Sequence, residues 1–144
     1  MSLNTNHARS DESYALIALN QVQGMDPHVL FKMIEVFGSP LKAWRAPNRD
    51  IENAGLLNNF TFEKFLDLRK IEDGVQEEDR AAELGVDVFT IRDASFPKKL
   101  ADIPIPPPVI YVRGNINEKD ARAIAIVGTR RCNGYGRKVA ADFA

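Results

Sequence analysis

The sequence predicts a mixed α/β protein, with a small all-helical unit followed by the opening of an α/β unit. Three observations predict it. Up to Leu84, apolar residues recur at helical spacing between capping residues. After Gly85 the period shortens and β-branched runs appear: "VDVFTI", "VIYVRG" and "AIAIVG". Charge divides at nearly the same place. Through Ile91 there are 9 Lys/Arg against 15 Asp/Glu, net −6; from Arg92 to Ala144 there are 10 against 5, net +5, for a whole-chain charge of −1. A split of this kind fits two units, the second with an anionic partner; an unevenly charged solvated surface is the plain alternative.

The elements follow in order. The opening stretch through residue 11 is polar, without the apolar core of a signal peptide, and reads as a disordered tail. "SYALIALNQV" is an apolar helix with Ser13 as its cap. In "DPHVLFKMIEVFGSP", Asp26 caps, Pro27 takes the first helical position, and Val29, Leu30, Met33, Ile34 and Phe37 share a face. Gly38 suits the left-handed position past the helix end. Ser39-Pro40 opens another helix by the same logic and carries Leu41 and Trp44, the latter a packing residue. Asp50 to Ala54 forms a short turn closed by Gly55. Thr61 caps a longer helix bearing Phe62, Phe65, Leu66 and Arg69, which Gly74 weakens midway; "EEDRAAELG" resumes it and Gly85 ends it. The acidic run "IEDGVQEEDRAAE" reads as a solvated helical face.

Beyond Gly85, "VDVFTI" and "VIYVRG" are strands whose Phe89 and Tyr111 read as core. "SFPKKLADI" is a helical turn, and "IPIPPP" an extended connector, because proline lacks the N–H and restricts its predecessor. "NINEKDAR" is a polar loop. "AIAIVG" is a third strand, apolar throughout as when both faces are covered. The boundaries are therefore a tail over 1–11, a helical domain over 12–75 and the first part of an α/β domain over 76–144.

"AIAIVGTRRCNGYGRKVAADFA" carries the chemistry. A strand ending in glycine and running into a helix presents unpaired N–H groups and partial positive charge, a setting for an anion. Gly128 lets the chain turn, and Gly134 and Gly136 let backbone approach a ligand. Arg130 and Arg131 have planar forks that match phosphate oxygens, with Arg137 and Lys138 beyond them. Tyr135 offers a hydroxyl or a stacking face. Walker A fails, because Tyr135 stands where its lysine belongs, and the G-x-G-x-x-G spacing fails as well. The residues alone thus give a phosphate-binding turn or a structural corner.

Other chemistries find little support. The single cysteine, Cys132, excludes an internal disulfide and has no histidine partner for nucleophilic work. His7 and His28 have no cluster at metal spacing. No apolar run approaches the roughly 20 residues that span a bilayer.

In combination, Phe96-Pro97-Lys98-Lys99-Leu100, Tyr111-Val112-Arg113-Gly114, Val127-Gly128-Thr129-Arg130 and Tyr135-Gly136 resemble the DNA-processing protein A (DprA/Smf) family over about residues 14–144. The resemblance implies a SAM-like or helix-hairpin-helix-like first domain and an extended Rossmann-like second one. It implies a cytoplasmic protein, without catalytic residues, metal or cofactor, that binds single-stranded DNA, protects incoming strands and assists RecA recombinase in natural transformation or recombination. The full-length protein is then a homodimer, and this chain is its N-terminal portion. Arg130 matches the family arginine, flanked by Gly128 and Thr129; with Arg131, Gly134, Tyr135, Gly136, Arg137 and Lys138 these form the candidate DNA site. The family hairpin Gly-x-Gly is here Gly24-Met25-Asp26; its carboxylate, with the net charge of −6, points the first domain toward partner contact or packing. The alternative is a Rossmann-like nucleoside-phosphate enzyme resembling the lysine-decarboxylase-like phosphoribohydrolases, whose Pro-Gly-Gly-x-Gly-Thr-x-x-Glu signature is absent here but would lie beyond residue 144. A third reading makes the first domain an interaction module and the turn merely structural.

Overall fold

The computed structural model describes residues 9–70, 74–117 and 122–144. His7 and the tail over 1–8, the link across 71–73 and loop residues 118–121 lie outside the described residues. Among those described, eight helices accompany one two-stranded sheet, which bears out a mixed α/β chain.

Each helix start follows from a local hydrogen bond. Helix α1 (Asp11–Gln21) begins within the stretch read as tail, and its cap is Ser10, not Ser13. Ser13 is the third helical residue and donates its N–H to Ser10 Oγ, so the hydroxyl one turn earlier does the capping. Helix α2 (Pro27–Phe37) is capped by Asp26, with Pro27 at its start, and ends on Gly38 at φ 87°. Helix α3 (Pro40–Arg45) is capped by Ser39. Helix α4 (Asn48–Ala54) ends on left-handed Gly55. Helix α5 (Asn59–Leu68) is capped by Asn58, whose Oδ1 accepts the Thr61 N–H at 2.9 Å; Thr61 itself is inside the helix and buried. Gly74 does not weaken a helix midway. At φ 85° it stands immediately before a separate helix, α6 (Val75–Glu83).

Strands β1 (Asp87–Thr90) and β2 (Val109–Val112) pair antiparallel, with Val88 opposite Tyr111 and Thr90 opposite Val109. Between them, α7 (Lys98–Ala101) follows Pro97, with Phe96 buried. The chain ends in α8 (Gly134–Phe143).

One apolar cluster runs through both halves. Leu16, Ile17 and Leu19 of α1, Leu30 and Met33 of α2, Ile51 and Phe65 meet Ala81 of α6, Val88 of β1 and Val109 of β2. Trp44 packs edge-on against Phe65, with ring centroids 5.6 Å apart, as a packing residue should. Arg9 ties the start of α1 to the sheet: its guanidinium bonds the Glu78 carboxylate, the Val88 carbonyl and Asp93 Oδ2. Burial opposes that charge, but the two carboxylates outweigh it and raise the Arg9 pKa.

Two sequence expectations fail in the second half. Tyr111 is not core: it is 44% exposed, and its hydroxyl donates to Glu77 Oε1 at 2.9 Å. "AIAIVG" is not a strand: residues 123–128 have no regular structure, and Ile124, Ile126 and Val127 are 72%, 47% and 89% exposed. A strand exists only when a neighbour takes its backbone N–H and C=O groups. The one sheet among the described residues contains β1 and β2 alone.

Candidate nucleic-acid interface

The predicted site lies on the segment from Gly128 to Lys138. Thr129 ends an irregular run, Arg130 and Arg131 form a turn, and α8 begins at Gly134. Helix formation there has a local cause that the sequence reading missed. Asn133 has extended backbone and its Oδ1 accepts the Gly136 N–H at 2.8 Å, an N-cap. An asparagine directly before the first helical residue was the available signal.

The cap changes the role expected of the glycines. Gly134 and Gly136 occupy the first turn of α8 and Gly128 sits in the irregular run, and none of the three has positive φ. A Cβ at Gly128 or Gly134 would meet nothing within 4 Å. The chain's own packing therefore does not require glycine at either place. The cap takes the Gly136 N–H, and the Arg137 N–H bonds the Asn133 carbonyl. The N–H groups of Gly134 and Tyr135 have no acceptor among the described residues.

The side chains are solvent-facing. Gly128, Thr129, Arg130, Arg131, Gly134, Tyr135, Arg137 and Lys138 are exposed, and Gly136 is half-buried. Tyr135 is 77% exposed, with its ring available rather than packed. Lys138 is held by Asp142 at 2.8 Å, one turn along α8. Arg130, Arg131 and Arg137 make no ion pair with a described residue, so three of the four cations are uncommitted. The structure thus brings the predicted residues together on one turn and one helix start. It does not give that turn the strand expected to precede it.

Arg113, from the Tyr-x-Arg-Gly segment, stays outside this group; its Nη2 donates to the Leu84 carbonyl at 3.2 Å and secures the end of α6. Cys132 is exposed and free. Among the described residues, no group of three or more His, Cys, Asp or Glu is placed to hold a metal, and no helix is long and apolar enough to cross a membrane.

A mixed α/β chain with an exposed cationic turn at a capped helix start is the class of protein defined so far. Comparison with known proteins gives a family likeness for part of the chain. Residues 87–144 match the family model described as DNA recombination-mediator protein A. Over 135 residues the chain is 27% identical to a protein named Protein Smf from Synechocystis sp., an alignment that covers 91% of this chain and 34% of that protein. The chain is thus similar to the DNA-processing protein A (DprA/Smf) family over its second half, and it spans about a third of the length of the curated relative it matches. No solved structure matches it.

Proposed function

We propose that this chain is part of a single-stranded DNA-binding protein that protects incoming strands and assists RecA recombinase in natural transformation or related recombination. The observation that carries the reading is the exposed cationic turn at the start of α8, within the segment that matches the recombination-mediator family. Arg130, Arg131 and Arg137 supply fixed charges, the free N–H groups of Gly134 and Tyr135 supply backbone donors, and the Tyr135 ring supplies a stacking face. Glycine inside a helix costs about 1 kcal/mol relative to alanine. Its use at Gly134, where a side chain would meet nothing, suits close approach of a phosphate.

The mechanism is charge neutralisation with counterion release and backbone positioning, without base readout. The protein acts in the cytoplasm as a homodimer and performs no catalysis. Its first half folds as a SAM-like unit and its second as part of a Rossmann-like one. The nucleoside-phosphate enzyme reading has no observation in its favour.

The test is single-stranded oligonucleotide binding by the full-length protein as a function of salt. Binding that weakens steeply with salt and little with base sequence is expected. Absence of any binding at low salt would overturn the reading.

A further inference from the structure

We propose that the cleft between α1, α3, the C-cap of α5 and the start of α6 binds a nucleoside 5′-phosphate, with the phosphate on Arg69 and Arg45 and the base against Trp44. This site lies in the helical half, and its argument does not rest on the turn at 128–138.

The cleft holds about 360 Å³, within the range of small-molecule sites. Its lining includes Tyr14, Leu41 and Val75 as well as Trp44, Arg45 and Arg69, with Asp11 the one carboxylate among the described residues. Arg69 carries the argument. Its guanidinium lies over the Phe65 ring, 5.0 Å from the centroid. Its Nη1 donates to the Ala46 carbonyl at 3.0 Å and to Asn48 Oδ1 at 3.2 Å. Those two acceptors are neutral, and both are reached from one nitrogen. No carboxylate pairs with this half-buried cation among the described residues, and burial lowers its pKa. Burial disfavours the guanidinium charge, and an anion at its remaining N–H groups offsets that cost.

Arg45 is the second cation. Among the described residues its one ion pair is with Asp11 at 3.9 Å, between two largely exposed side chains, so it is easily surrendered to a phosphate. Trp44 packs at right angles to Phe65 yet is only half-buried and also lines the cleft, which leaves part of the indole to meet a base. Cations beside an aromatic wall, in a space of this volume, fit an aromatic anion better than a bare one.

Trp44 is the only tryptophan in this 144-residue sequence, so the intrinsic tryptophan fluorescence of this chain reports on the cleft. Titration with dAMP is expected to give a saturable change. Deoxyadenosine, which lacks the phosphate, and the Arg45→Gln variant should each bind at least about tenfold more weakly, as for loss of a charge-assisted bond. Arg69→Gln should do the same; because Arg69 also holds Ala46, its thermal melt is recorded alongside, and Arg45→Gln decides the matter if that variant unfolds. Arg130→Ala/Arg131→Ala should leave dAMP binding unchanged, which separates this site from the DNA turn. Displacement of dAMP by an unphosphorylated oligonucleotide would identify the nucleotide as a unit of a strand, and failure to displace it would identify free nucleotide; both uphold the cleft. No saturable change up to millimolar dAMP, or equal affinity for deoxyadenosine or in Arg45→Gln, would overturn the proposal.

Discussion

The carboxylate of Glu12 in α1 accepts the backbone N–H of Leu41 in the first turn of α3, at 2.9 Å. A residue 29 positions away thus helps to cap a six-residue helix that has only Ser39 as a local cap. Partial burial works against the Glu12 charge. The Leu41 N–H and the Ser39 hydroxyl, followed by Arg92 and Lys42, outweigh it and hold its pKa below the usual glutamate value. Because the folded pKa is the lower one, the stabilisation is fully present above the unfolded pKa and is lost as pH falls through the folded one. Glu12→Ala should cost about 1 kcal/mol at neutral pH, as loss of a cap does. Glu12→Gln should keep part of the bond but flatten the acid limb of the stability curve. Urea unfolding between about pH 3 and 7 checks both, spanning the usual glutamate pKa.

Gly74 is required by its neighbours and Gly55 is not. A Cβ on Gly74 would lie 2.1 Å from the Tyr14 carbonyl oxygen, and φ is 85°. A Cβ on Gly55, at φ 62°, would meet nothing within 4 Å. Gly74→Ala should therefore destabilise by on the order of 3 kcal/mol, combining overlap with backbone strain, while Gly55→Ala should cost only about 1 kcal/mol for the left-handed conformation. Thermal melts of the two variants make the comparison.

Arg9 should behave as a clamp whose value depends on its forked shape. Its nitrogens reach Glu78, Asp93 and the Val88 carbonyl together, and its side chain is 17% exposed. Arg9→Ala leaves two carboxylates without their cation and should cost about 2 kcal/mol, below the value for a fully buried pair. Arg9→Lys should recover less than half, since one ammonium cannot span three acceptors. Chemical denaturation measures the difference.

For DNA binding, each of Arg130, Arg131 and Arg137 removed should lower the slope of log affinity against log salt by about 0.7 if it neutralises one phosphate of a single strand. Arg130→Ala should weaken binding measurably at low salt. Arg113→Ala should leave the slope alone, because that side chain secures Leu84. Fluorescence anisotropy across a salt series on the full-length protein reads both quantities.

Asn133 separates helix capping from charge. Asn133→Ala loses the bond to the Gly136 N–H and should fray the first turn of α8 at a cost of about 1 kcal/mol. Asn133→Asp keeps a good cap but sets a negative charge beside Arg131 and should weaken DNA binding with helix content retained. Circular dichroism and anisotropy on the same samples distinguish the two outcomes.

What could be read from sequence was local. Asp26-Pro27, Ser39-Pro40, Gly38 and Gly55 did what their chemistry predicts, because a cap or a left-handed closure needs only residues within a few positions. The misplaced caps, Ser13 for Ser10 and Thr61 for Asn58, were wrong by one turn: each sequence offers several hydroxyl or amide groups, and only the folded backbone selects one. The basic turn and the helix after it were also legible, though the Asn133 cap was overlooked.

The tertiary structure decided the rest. A cleft that joins Tyr14, Trp44 and Arg69 has no sequence signature, because its walls come from segments far apart in the chain. The bonds of Arg9 and Glu12 cross dozens of residues and appear only when the helices pack. "AIAIVG" has the composition of a buried strand and is not one, and Tyr111 has the position of a core residue and faces solvent. A helix satisfies its own backbone, so its sequence is nearly sufficient to predict it. A strand and a buried side chain are defined by what lies beside them, and that is a property of the fold.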